Sequence, residues 1–147
     1  MKRAVDTNVL VYVHIASMAE HAHAKRFVEA ELARGVSLVV TPSILHELVH
    51  VITDARRFEP PVSMSEATSI ARGYLNRTNV ECLSTDERAL ALALDLLERH
   101  ALGRKRIFDT LLAATLITHG IHEIITGNGR HFDVFEGLRA VDPLEER

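Results

Sequence analysis

Short apolar runs rich in β-formers alternate along the chain with longer segments whose apolar positions recur at helical spacing. From Arg3 to Val13 the residues are mostly Val, Leu, Ala and Tyr, a near-continuous apolar run that predicts a strand buried on both faces. Its polar interruption is Asp6-Thr7-Asn8. A helix is expected from about Ala22 to Arg34, with Phe27, Val28 and Leu32 on one stripe and Gly35 at its C-cap. Ser37 to Val40 predicts a second strand, after which Thr41 as N-cap and Pro42 at the first helical position start a helix running to about Arg57. Pro60-Pro61 marks a turn, and Ser63 to Ser65 starts another helix to about Arg77. Val80 to Leu83 is a third expected strand, and Ser84-Thr85-Asp86 caps a helix from Glu87 to His100. The polar loop Gly103 to Arg106 leads into a helix over Ile107 to His119, then a strand over Ile121 to Thr126 and a short apolar segment, Leu138 to Val141.

Strands alternating with helices imply an α/β three-layer sandwich, a mostly parallel central sheet flanked by helices, in a single domain over 1–147. The composition agrees: 147 residues, 47% apolar and 25% charged, are neither disordered nor fibrous. At this length a chain buries roughly 68–70% of its unfolded surface, so one core can form without disulfides or a structural metal. The single cysteine, Cys82, excludes an internal disulfide and a Cys-rich zinc site, fits a reducing compartment such as the cytoplasm, and is expected to be a buried small hydrophobe. Asp6 breaks the apolar run where a secretory signal would need its hydrophobic core, and no stretch approaches the roughly 20 apolar residues of a membrane span, so no membrane partner is expected.

Net charge first points away from nucleic acid, because 17 Lys and Arg against 20 Asp and Glu leave −3. The placement of the acids changes that. In an open parallel sheet, ligands bind at the carboxyl ends of the strands. Asp6, Glu47, Asp109 and Asn128 can all reach one such rim. Three carboxylates meeting there would repel one another unless a cation neutralised them, and a hard divalent ion, Mg²⁺ or Mn²⁺, suits an all-oxygen site. Such a site suggests phosphodiester hydrolysis by a metal-activated water, with no Ser or Cys nucleophile. Setting those 3 acids aside leaves 17 against 17, so bulk charge says nothing about RNA.

Four segments carry a resemblance. V-D-T-N-V-L at 5–10, Glu47 early in the helix after the second strand, F-D-T-L-L-A-A at 108–114 and T-x-N-x-x-H-F at 126–132 resemble the PIN domain, most closely the VapC-type toxin ribonucleases, across essentially the whole chain. The resemblance implies a Mg²⁺- or Mn²⁺-dependent endoribonuclease acting on single-stranded or structured RNA. It also implies a homodimer and a toxin neutralised by a cognate antitoxin protein. It places metal-binding and catalytic roles on Asp6 and Asp109, with Glu47 completing the acidic cluster. Thr7 and Asn8 would orient Asp6 or its waters, and Asn128 would support the metal or substrate. Where many relatives carry a fourth Asp this chain has Asn128 and then His131, which favours one bound metal over two; Asp133 is a weak substitute. Arg104, Lys105, Arg106 and His131 are candidate substrate contacts, ahead of Arg130 and Arg56-Arg57.

Three other readings compete. His46-Glu47-Leu48-Val49-His50 spells H-E-x-x-H, which on a helix would present His46 and His50 as zinc ligands and Glu47 as general base of a metalloprotease. That reading leaves Asp6 unexplained and lacks a third ligand, since Thr53 and Arg56 stand where a metzincin needs Gly and His. A haloacid-dehalogenase phosphatase needs an Asp and a Thr where Asn8 and Leu10 stand. A non-catalytic PIN-fold binding module is the third, and three retained acids weigh against it. The glycines around Asn128 form neither G-x-G-x-x-G nor a P-loop.

Overall fold

The computed structural model describes residues 1–145, so the last two residues of the expected 1–147 domain lie outside the described residues. Five strands form one sheet: β1 (Lys2–Val5), β2 (Ser37–Val40), β3 (Val80–Cys82), β4 (Glu123–Ile125) and β5 (Arg139–Val141). Their order is β3-β2-β1-β4-β5, and every pairing is parallel. Among the described residues six α-helices flank the sheet: α1 (Thr7–His14), α2 (His21–Ala33), α3 (Pro42–Ile52), α4 (Met64–Asn76), α5 (Glu87–Arg99) and α6 (Ile107–Thr118).

The three layers follow from strand alternation. Ala4, Val39 and Ile124 lie side by side in register and pack into one apolar cluster with Ala93, Leu96, Ala113 and Leu116 of α5 and α6. Val5, Leu38, Val40 and Ile125 turn to the opposite face and join Val9, Leu10, Val28, Leu48 and Tyr74 from α1 to α4. No helix among the described residues is long and apolar enough to cross a membrane.

Two expected elements end early, each for a local reason. The apolar run from Arg3 is a strand only to Val5; the rest is helix α1. Asp6 takes an extended conformation and its carboxylate accepts from the Thr7 amide at 2.8 Å, capping a helix whose Val9, Leu10 and Val11 are buried. A continuous apolar run cannot separate buried strand from buried helix, and the cap decides. Helix α3 stops at Ile52 rather than near Arg57. There the Thr53 hydroxyl donates to the Val49 carbonyl at 2.7 Å and Asp54 accepts from the Arg56 amide at 2.9 Å, side-chain bonds that compete with helix continuation.

Cys82 is exposed rather than buried, because β3 is an edge strand whose residues are at most half-buried. The segment at 104–106 is a turn of 3₁₀ helix leading directly into α6.

Candidate active site

Strand order reverses beside β1, since the chain runs outward through β2 and β3 and then returns to place β4 on the other side. The crevice at the carboxyl ends of β1 and β4 is therefore the topological switch point, where open α/β sheets bind ligands. Asp6 leaves β1 there. Its amide still donates to the Ile125 carbonyl at 2.9 Å, which ties the residue to β4 while its side chain turns to cap α1. Thr126, fully buried just after β4, donates its hydroxyl to Asp6 Oδ2 at 2.8 Å. Both oxygens of the carboxylate are thereby oriented by the chain before any ligand arrives.

A cavity of about 120 Å³ opens beside Asp6 and is also lined by Thr7, Glu47 and Asp109. Glu47 comes from the second turn of α3, which Thr41 caps by accepting from the Ile44 amide at 3.2 Å. Asp109 comes from the first turn of α6. Burial raises the Asp6 pKa above the ordinary carboxylate value, the Thr126 and Thr7 bonds draw it back in part, and the Asp109 charge adds to the rise. For Glu47, partial burial of a side chain at the accessible rim and then the charges of Asp6 and Asp109 push the pKa up, against a smaller pull from His50 and Thr7. Asp109 thus acts on Asp6, and both act on Glu47.

The other expected site residues take separate places. Asn8 bridges the two strand ends, its Nδ2 lying 3.5 Å from Asp6 Oδ2 and its Oδ1 accepting from the Gly127 amide at 3.3 Å. Asn128 contributes its backbone, its amide donating to the Thr126 hydroxyl at 3.0 Å; its side chain does not line the cavity. His131 reaches the site through Asp109, with Nδ1 and Oδ2 3.0 Å apart. Arg106 donates to the His131 carbonyl, which leaves Arg104 and Lys105 as the exposed cations of that turn. Asp133 lines a different cavity, with Arg130 and Arg139, and so lies away from the acidic one. His46 and His50 stay on the exposed face of α3 and neither lines the cavity that Glu47 enters.

Sequence reasoning missed Thr126. No local signal marks it, because its partner is Asp6, 120 residues away at the end of the neighbouring strand.

The oxygen donors fit a hard cation. Among the described residues no three His, Cys, Asp or Glu side chains close into a ready-made metal cage. Mg²⁺ does not need one, since it is commonly held by one or two carboxylates and keeps several waters. Asp6 and Asp109, set on the ends of two different elements around one cavity, have that character.

The profile of the PIN domain matches residues 3–137. The chain belongs to the PIN-domain family. This PIN domain is 27% identical to Ribonuclease VapC33 of Mycobacterium tuberculosis over 141 residues, covering 96% of this chain and 97% of that protein. It is 28% identical to Ribonuclease VapC24 of the same organism, covering 96% of each. Solved structures share the fold. VapBC2 from Rickettsia felis, bound to a promoter DNA fragment, superposes with TM-score 0.67 at 17% identity, covering 96% of this PIN domain and 98% of that chain. Mycobacterium tuberculosis VapC20, described as a Sarcin-Ricin loop cleaving toxin, gives 0.65 at 19% identity over 84% and 87%.

Proposed function

We propose that this PIN domain is a divalent-metal-dependent endoribonuclease of the VapC type, the toxin of a toxin–antitoxin pair. The observation that carries the reading is the sharing of one cavity by Asp6, Glu47 and Asp109 at the switch point, with Asp6 and Glu47 held above their ordinary pKa values. Relatives named VapC ribonucleases over nearly the whole chain support RNA as substrate. Fold neighbours solved as VapBC complexes support an antitoxin partner.

Asp6 and Asp109 would hold Mg²⁺ or Mn²⁺, which when bound lowers the pKa of an attacking water and stabilises charge on the phosphoryl oxygens. The chain's own contributions are distinct. Thr126 and the Thr7 amide fix the Asp6 carboxylate, and Asn8 ties that corner to Gly127. Glu47, whose pKa is raised by burial and by the charges of Asp6 and Asp109, is suited to accept the proton of the attacking water. His131 holds Asp109 in place, while exposed Arg104 and Lys105 supply positive charge outside the cavity for the RNA backbone. Two copies are proposed to pair, as the resemblance to VapC-type toxins implies.

Metal exchange tests the chemistry. EDTA-treated protein should regain RNA cleavage with Mg²⁺ or Mn²⁺. Rescue only by Zn²⁺, on a peptide substrate, would instead support the His46-Glu47-His50 protease.

A further inference from the structure

Phe108 is 84% exposed, the most exposed large apolar side chain among the described residues, and it lines the acidic cavity immediately before Asp109. We propose that Phe108 is a stacking platform for an unpaired base of the RNA strand, holding the strand at the mouth of the cavity. The ribonuclease reading supplies the identity of the strand; the aromatic contact is argued from the surface itself.

The cavity is hostile to a polyanion. Three carboxylates border it, and no Lys or Arg among the described residues lines it. The nearest exposed cations in sequence, Arg104 and Lys105, stand in the preceding turn, where Arg106 is engaged by the His131 carbonyl. A nucleic acid entering there needs an uncharged contact close to the acids and charged contacts further out. A base face is uncharged, and every base presents one, so stacking on an aromatic ring tolerates any sequence. Phe108 and the flanking cations match that division. An apolar peptide helix would ask for a broader exposed surface, whereas among the described residues that line this cavity Phe108 is the only exposed large apolar side chain, Leu111 and Leu112 being half-buried and Ile44 buried. So exposed a ring has little part in the core, and its substitution leaves the fold intact.

The chain has no Trp, so Phe108→Trp would carry the sole indole, placed at the proposed contact. A single-stranded oligoadenylate should quench its fluorescence on mixing, and an abasic oligonucleotide of equal length should not. In cleavage of a random-sequence single-stranded RNA pool, Phe108→Ala should raise KM by roughly 5- to 100-fold, the range that base stacking supplies, with kcat little changed. Phe108→Tyr and Phe108→Trp should restore KM to near the original value. Equal quenching by the two oligonucleotides, or an unchanged KM in Phe108→Ala, overturns the proposal. An unchanged KM together with weakened capture of an antitoxin also overturns it and assigns the ring to a protein partner. Failure of the unsubstituted protein to cleave any RNA sinks the ribonuclease reading alone, and the quenching comparison then decides the stacking contact.

Discussion

Thr126 donates its hydroxyl to Asp6 Oδ2 at 2.8 Å, joining the residue that follows β4 to the one that follows β1 across a sequence separation of 120 residues. Because Thr126 is fully buried, the bond is shielded from competing water. Thr126→Val keeps the shape and removes the donor, freeing one oxygen of Asp6 to rotate. The concentration of Mg²⁺ needed for half-maximal RNA cleavage should rise about 10- to 100-fold, the usual effect of losing a group that orients a ligand. Thr126→Ser should stay near the parent. A Val variant that titrates with Mg²⁺ like the parent would show that Asp6 is oriented by other means.

A second buried polar system sits at the other end of β1. Arg3, 5% exposed, bonds Glu31 at 2.6 Å and Glu123 at 2.7 Å, while Arg34 and Arg139 flank the same acids at 2.6 Å and 3.0 Å. Despite partial burial, Arg139 and Arg3 hold the Glu123 carboxyl below its ordinary pKa. Arg3→Met would leave Glu31, 3% exposed, buried with only its Arg34 contact, and should cost about 3–5 kcal/mol in urea unfolding. Adding Glu31→Leu removes the stranded charge and should recover part of that loss. If the double variant is no more stable than the single one, the cost lies in packing and not in the charge.

His14 gives the fold an acid-sensitive contact. Its Nε2 lies 2.7 Å from the Tyr74 hydroxyl, and the two rings meet edge to face. Burial, followed by the charge of nearby His21, lowers the His14 pKa below 6.5, and burial raises Tyr74 to about 12. The fold therefore prefers the neutral imidazole, which can accept the phenol proton. The unfolded chain takes up its proton first as pH falls, so this contribution is complete above about pH 6.5 and is lost as pH drops from there toward the folded-state pKa. His14→Gln should flatten the dependence of urea midpoint on pH between about pH 7 and 5. An unchanged slope would assign the acid sensitivity to other groups.

These polar pairs show what a linear reading could and could not reach. Thr41-Pro42 announced α3 because cap chemistry is local, and the Thr41 bond to the Ile44 amide is what the sequence pattern required. The acids Asp6, Glu47 and Asp109 were legible because parallel strands deliver their carboxyl ends to one rim. Thr126 was not, since a hydroxyl announces a partner only once β4 is known to lie beside β1. Arg3 was hidden for the same reason: within an apolar run it read as a strand start, and the carboxylates that permit its burial are 28 and 120 residues away. The length of β1 was misread because Asp6, identified as a functional carboxylate, is also the cap that ends the strand and starts α1.

In the proposed function Asp6 and Asp109 act together on RNA, and isosteric neutralisation tests this pairing. Asp6→Asn and Asp109→Asn remove charge from a cavity where Asp109 adds to the rise of the Asp6 pKa and both raise that of Glu47, so without metal neither variant should melt below the parent. Each should nevertheless lose Mg²⁺-dependent RNA cleavage by a factor of at least about 100, as removal of a group acting on the transition state does. A folded Asp6→Asn or Asp109→Asn protein that cleaves RNA at the parental rate would contradict the account.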